Sequence, residues 1–129
     1  MTTWDLSRTK NHILICNGGS CSRQGAEELT DSLREEISRR ELNTEIHTTK
    51  TRCNGRCQDA CVVTVYPEGS WYKDLSISDV KPFIQSLYTQ QVYETKRCLY
   101  FNEDGFQPVD ETIATGMSKE AARKKRSAK

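Results

Sequence analysis

Cysteine supplies most of the chemistry this sequence can offer, and five of its six cysteines fall into two short stretches. Cys16 and Cys21 stand in ICNGGSCS with four residues between them, while Cys53, Cys57 and Cys61 stand in RCNGRCQDAC at intervals of three intervening residues. Thiolates are soft metal ligands. Four of them from two loops satisfy either a tetrahedral four-sulfur zinc site or a two-iron cluster with two sulfurs on each iron. Cys16, Cys21, Cys53 and Cys57 are the candidate ligands. Zinc ribbons use C-x2-C knuckles and thioredoxin-type dithiol enzymes need C-x2-C at a helix start, and neither loop has that spacing.

The rest of the chain bears on which thiol chemistry applies. No stretch approaches the roughly 18 apolar residues of a membrane span. The opening MTTWDLSRTK lacks the basic-then-apolar order of a secretory signal, so the chain reads as cytoplasmic, with no membrane role. Clustered thiols in a reducing compartment bind metal or do redox chemistry rather than pair as disulfides.

The elements that must position these cysteines follow from hydrophobic periodicity. NHILIC (residues 11–16) is a short apolar run closed by Asn-Gly-Gly, which predicts a buried strand delivering Cys16 to its C-terminal edge. Ala26, Leu29, Leu33 and Ile37 recur at helical spacing, predicting one amphipathic helix over residues 22–42 with Cys21 at its first turn. A thiolate there would be favoured by free backbone N–H groups and the positive end of the helix dipole.

Residues 44–49 read as a strand near a sheet edge, 51–60 as a loop, and 61–66 with 71–75 as a hairpin around PEGS. Ser78 would cap a second helix whose apolar face is Val80, Phe83, Ile84, Leu87 and Tyr88, with Pro82 in its first turn. The order strand, helix, strand, loop, hairpin, helix is that of an α/β thioredoxin-like fold: a four-stranded mixed sheet with two helices. Residues 1–10 form an N-terminal arm, 11–101 the domain, and 102–129 a polar C-terminal extension, with KRCLYF (96–101) a further short strand or extended arm.

A net charge of +1 hides an asymmetry. Residues 118–129, SKEAARKKRSAK, hold six Lys or Arg against one Glu, so the tail carries +5 and the remainder −4. A short basic run without interleaved aromatics reads as a disordered, solvated tail or docking arm, not a nucleic-acid site. The acidic body would repel a polyanion and suits a basic face on a redox partner.

Taken together, the C-x4-C pair, the C-x3-C pair and VVTVYPEGSWY (62–72) directly after it resemble the thioredoxin-like 2Fe-2S ferredoxins, relatives of the small iron-sulfur subunit of respiratory NADH dehydrogenase. The resemblance covers roughly residues 11–101. It implies one 2Fe-2S cluster on Cys16, Cys21, Cys53 and Cys57, and an electron carrier that catalyses nothing itself and serves a redox partner protein. All-cysteine ligation implies a low potential, about −400 mV as in plant-type ferredoxins. The family also implies a homodimer, and such ferredoxins can serve biosynthetic pathways such as cobalamin or tetrapyrrole synthesis. The alternative from a different class is a non-redox zinc-thiolate module that docks a partner protein.

One departure from the family pattern is Cys61, which stands where proline is common. It reads as a small buried hydrophobe, with a spare ligand or an oxidation site as the sharper readings. Cys98 lies outside both loops and reads as structural. Arg52 and Arg56 flank the second pair, either solvated or tuning its charge; Gly18, Gly19 and Gly55 could let backbone N–H groups approach sulfur. Trp71 and Tyr72 read as core or interface, and His12 and His47 show no ligand spacing.

Overall fold

Along β1 (Asn11–Cys16), Ile13 and Ile15 are fully buried while His12 and Leu14 stay partly exposed, the alternation an extended chain imposes on its side chains. In the computed structural model, which describes residues 2–127, the elements that follow are α1 (Gly19–Arg23), α2 (Ala26–Arg39), β2 (Ile46–Thr51), β3 (Val63–Tyr66), β4 (Ser70–Tyr72), α3 (Val80–Tyr88), β5 (Arg97–Asn102), β6 (Gly105–Pro108) and α4 (Lys119–Ser127). The strands form one sheet in the order β2-β1-β3-β4-β5-β6. β1 and β2 are parallel, from Asn11 opposite Ile46 to Cys16 opposite Thr51, and every other neighbouring pair is antiparallel.

Register explains where the core sits. Ile15, Val63 and Tyr72 line up across β1, β3 and β4, with Ile13 and Val65 on the same side. Leu29, Leu33 and Ile37 of α2 and Phe83, Ile84 and Leu87 of α3 join them in one apolar core. Full burial of such side chains contributes about 1.5–3 kcal/mol each. On the opposite row Leu14, Trp71 and Leu99 are less deeply covered, while Thr64 between them is buried. Trp71 packs edge-on against Phe106 at 5.9 Å between ring centroids.

The mixed α/β layer has six strands, not the four expected. KRCLYF does become a strand, and Asp104 N–H donates to Asn102 Oδ1 as the chain turns through Gly105 at φ +112° and returns as β6. Phe101 and Phe106, with ring centroids 5.1 Å apart, hold that hairpin together within an otherwise polar stretch. The single helix expected over 22–42 is two, because Gly25 adopts φ +94° between α1 and α2, a backbone state glycine reaches at no steric cost. Ser76, not Ser78, caps the last core helix: Ser76 and Asp79 form a reciprocal capping box that leads through the short turn Ile77–Asp79 into α3. The tail expected to be disordered is helical from Lys119 to Ser127; residues 128 and 129 lie outside the described residues. Among the described residues no helix is long and apolar enough to cross a membrane.

A carboxylate locks the two core helices together. Glu36, 6% exposed, accepts hydrogen bonds from Arg39 and Arg40, and Arg40 also donates to Gln85 Oε1 on α3. Those two arginine hydrogen bonds lower the Glu36 pKa from 4.5 to about 2. A folded-state value below the unfolded one gives stability that is complete above the unfolded pKa and fades as pH falls toward the folded one. Glu36→Gln is therefore expected to lower the denaturation midpoint at pH 7 and to flatten the acid-induced loss of stability between 4.5 and about 2, read by circular dichroism.

Candidate metal centre

Parallel pairing brings both cysteine loops to one end of the sheet. β1 ends at Cys16 opposite Thr51, the last residue of β2, and Asn17 N–H donates to Thr51 O at 2.7 Å, carrying the ladder one step further. From there one chain turns through Gly18 into α1, which carries Cys21. The other enters the loop bearing Cys53, and Cys57 opens the short turn Cys57–Asp59. The two loops touch at Gly18: a Cβ there would lie 2.7 Å from Cys53 Cα and 2.8 Å from Cys53 N. No side chain fits between them.

Cys16, Cys21, Cys53 and Cys57 line one small recess with Gly18, Ser20 and Arg56. Cys53 Sγ and Cys57 Sγ are 3.6 Å apart. Two sulfurs on a tetrahedral metal at about 2.3 Å would be separated by about 3.8 Å. The inner pair, Cys16 and Cys21, is buried and the outer pair exposed. Among the described residues no three His, Cys, Asp or Glu side chains are gathered tightly enough to hold a metal ion. A cavity of about 700 Å³ lies elsewhere, at the opposite end of β1 beside Asn11, Leu42, Pro67 and Tyr88, and no cysteine lines it.

Local electrostatics separate the two pairs. Gly55, at φ +84°, donates its N–H to Cys53 Sγ at 3.3 Å, and this bond, with the neighbouring Cys57, lowers the Cys53 pKa. Cys21 behaves oppositely to its expected dipole-favoured thiolate. Burial pushes it up to about 12, with Cys16 and Cys61 adding to the effect, because it sits inside a five-residue helix against the core. A bound soft cation reverses that preference by replacing the proton.

Of the other residues singled out from the sequence, Cys61 is buried beneath α1, its Sγ 3.6 Å from Cys21 O and 3.5 Å from Gln24 O, and it does not line the recess. Cys98 is buried in β5, away from both loops. His12 and His47 sit side by side across β1 and β2 with ring centroids 5.0 Å apart and planes tilted by 43°, and Tyr72 is core. Arg52 is exposed, but Arg56 is half-buried. Its Nη2 lies 2.8 Å from Asp59 Oδ2, although neither atom is aligned for a hydrogen bond, so the contact is ionic. Asp59 and Ser20 were missed in the sequence; the Arg-x-x-Asp spacing at 56–59 was the available signal for Asp59.

The family model for thioredoxin-like [2Fe-2S] ferredoxins matches residues 5–88. This chain belongs to that family. The ferredoxin is 53% identical over 76 residues to a Priestia megaterium protein named as a 2Fe-2S ferredoxin, a match spanning 59% of each chain. It is 34% identical over 85 residues to the 2Fe-2S ferredoxin of Clostridium pasteurianum, covering 60% of this chain and 83% of that one. Among solved structures, the thioredoxin-like [2Fe-2S] ferredoxin of Aquifex aeolicus superposes with a TM-score of 0.66 at 26% identity, over 69% of this chain and 96% of that one. The 2Fe-2S cluster is the family's cofactor, and the donor set here fits it: four thiols, two per loop, with a backbone N–H already directed at one sulfur.

Loop contact at Gly18 makes a prediction. Gly18→Ala must push the Cys53 loop outward, an overpacking cost of about 1–3 kcal/mol. Gly19→Ala meets nothing closer than Arg23 Nη1 at 3.4 Å. The first substitution is expected to lower iron per chain and visible absorbance in the ferredoxin, and the second to leave both unchanged.

Proposed function

We propose that this ferredoxin carries one 2Fe-2S cluster on Cys16, Cys21, Cys53 and Cys57 and passes single electrons to a redox partner protein, catalysing no reaction itself. The observation that carries the proposal is the meeting of two cysteine pairs in one recess, at a contact only glycine allows. A bound cluster of this kind supplies a one-electron couple. The protein's residues divide the remaining work. Burial of Cys16 and Cys21 against the core shields one side from water, and exposure of Cys53 and Cys57 leaves the other side open to a docking partner. The Gly55 N–H stabilises negative charge on Cys53 Sγ.

The proposal extends to a homodimer and to a recipient enzyme in a biosynthetic pathway such as cobalamin or tetrapyrrole synthesis, both on the family resemblance. Sedimentation of the purified protein tests the first.

Metal content tests the core of the proposal. Anaerobically purified protein is expected to hold about two irons per chain with charge-transfer bands between roughly 300 and 600 nm; stoichiometric zinc without those bands would replace the electron carrier by a zinc module, since zinc is d10 and spectroscopically silent. Cys53→Ala and Cys57→Ala are expected to lose the bands, whereas Cys61→Ala and Cys98→Ala keep them. Bleaching by Cys61→Ala with retention in Cys53→Ala would move the second ligand pair.

A further inference from the structure

We infer that Arg56, held in place by Asp59, is the positioning residue that sets the charge felt by the cluster and so raises its reduction potential. The inference rests on the ferredoxin reading above.

Arg56 lies between Cys53 and Cys57, where an arginine on a surface loop would ordinarily extend into water. Its side chain instead keeps only 15% of its exposure and lines the recess shared by the four thiols. Asp59, 7% exposed, holds it there with Oδ2 at 2.8 Å from Nη2. Asp59 is itself fixed at both backbone ends: its N–H donates to Arg56 O at 2.9 Å, and its carbonyl accepts from Asp74 N–H at 2.8 Å.

The pairing leaves part of the guanidinium unsatisfied. Nη2 is engaged ionically by Asp59, whereas Nε is buried with no hydrogen-bond acceptor. Buried arginine N–H groups are costly to leave unmade, and an orphan of this kind in a native fold calls for a partner. Sulfur ligands gathered in the recess are acceptors of the right charge. Of the two partners only the cation borders the thiols: Arg56 lines the recess and Asp59 does not.

The direction of the effect follows from charge. Two ferric ions, two sulfides and four thiolates sum to a net negative group, and one-electron reduction makes it more negative. A fixed cation beside it therefore stabilises the reduced form more than the oxidised form, and hydrogen bonds to sulfur act in the same sense. Arg52 is the internal control: it flanks the same loop with the same charge but is exposed to solvent.

The test is spectroelectrochemical titration of the intact, loaded protein, with iron per chain measured in parallel. Arg56→Gln is expected to shift the midpoint to more negative potential at unchanged iron content. Arg56→Lys, which keeps the charge but loses the planar fork, is expected to fall between Arg56→Gln and the wild type. Arg52→Gln is expected to titrate with the wild type. The Arg56→Gln shift should persist in 1 M salt, where the screening length falls to about 3 Å and a solvated charge would no longer act. A wild-type midpoint in Arg56→Gln, or an equal shift in Arg52→Gln, overturns the inference. If Arg56→Gln does not load, Arg56→Met, which removes the charge from an unbranched side chain, decides: a midpoint below the wild type supports the inference and an identical one overturns it. Wild-type protein without iron would remove the ferredoxin reading itself, a result distinguishable from any of these.

Discussion

Parallel pairing of β1 with β2 is the constraint on which the rest of this structure depends. Parallel strands end together, so Cys16 at the close of β1 and the loop that follows Thr51 at the close of β2 emerge side by side. A parallel pair requires a crossover, and α1 and α2 are that crossover. The helical connection is thus also the element that carries Cys21 back over the strand ends. Ligand-binding crevices in α/β sheets form outside the carboxyl ends of strands for the same geometric reason. Here the crevice has shrunk to a recess, because Gly18 lets the two loops approach to contact.

The two sides of that recess are made of different material. The inner pair is built on a strand and a short helix packed into the core, where desolvation holds Cys21 as a thiol. The outer pair rides on a surface loop, where a single backbone N–H already favours charge on Cys53. Rigid placement comes from one side and polarity from the other. Arg56 joins the two, since it is ion-paired with the buried Asp59 of the same loop and lines the shared recess.

Much of this was legible in the residues alone. Short apolar, β-branched runs in NHILIC and CVVTVY marked β1 and β3, both of which are largely buried, and the 3.6-residue repeat marked α2 and α3. Cysteine spacing marked the two pairs, which the fold brings to one recess. The failures have local causes. Gly25 broke a helix whose apolar repeat ran straight through it. β5 was one of the two readings of KRCLYF, but β6 is held to it by a few aromatic contacts in a polar stretch, below what periodicity can detect. The dipole argument for Cys21 lost to desolvation, which depends on tertiary packing and leaves no mark on the neighbouring residues. Asp59 escaped for a similar reason: only the folded turn reveals that its carboxylate is buried against Arg56.

β2 has a hydrogen-bonded neighbour on one side only, being the outermost strand beyond β1. Its sequence, IHTTKT, contributes a single deeply buried residue, Ile46. An edge strand held by one ladder and a few polar side-chain contacts, such as Arg34 to Thr48, opens at a lower free energy than the core. Since Cys53 and Cys57 hang from its end, such fraying would swing the outer thiols clear while Cys16 and Cys21 stayed seated.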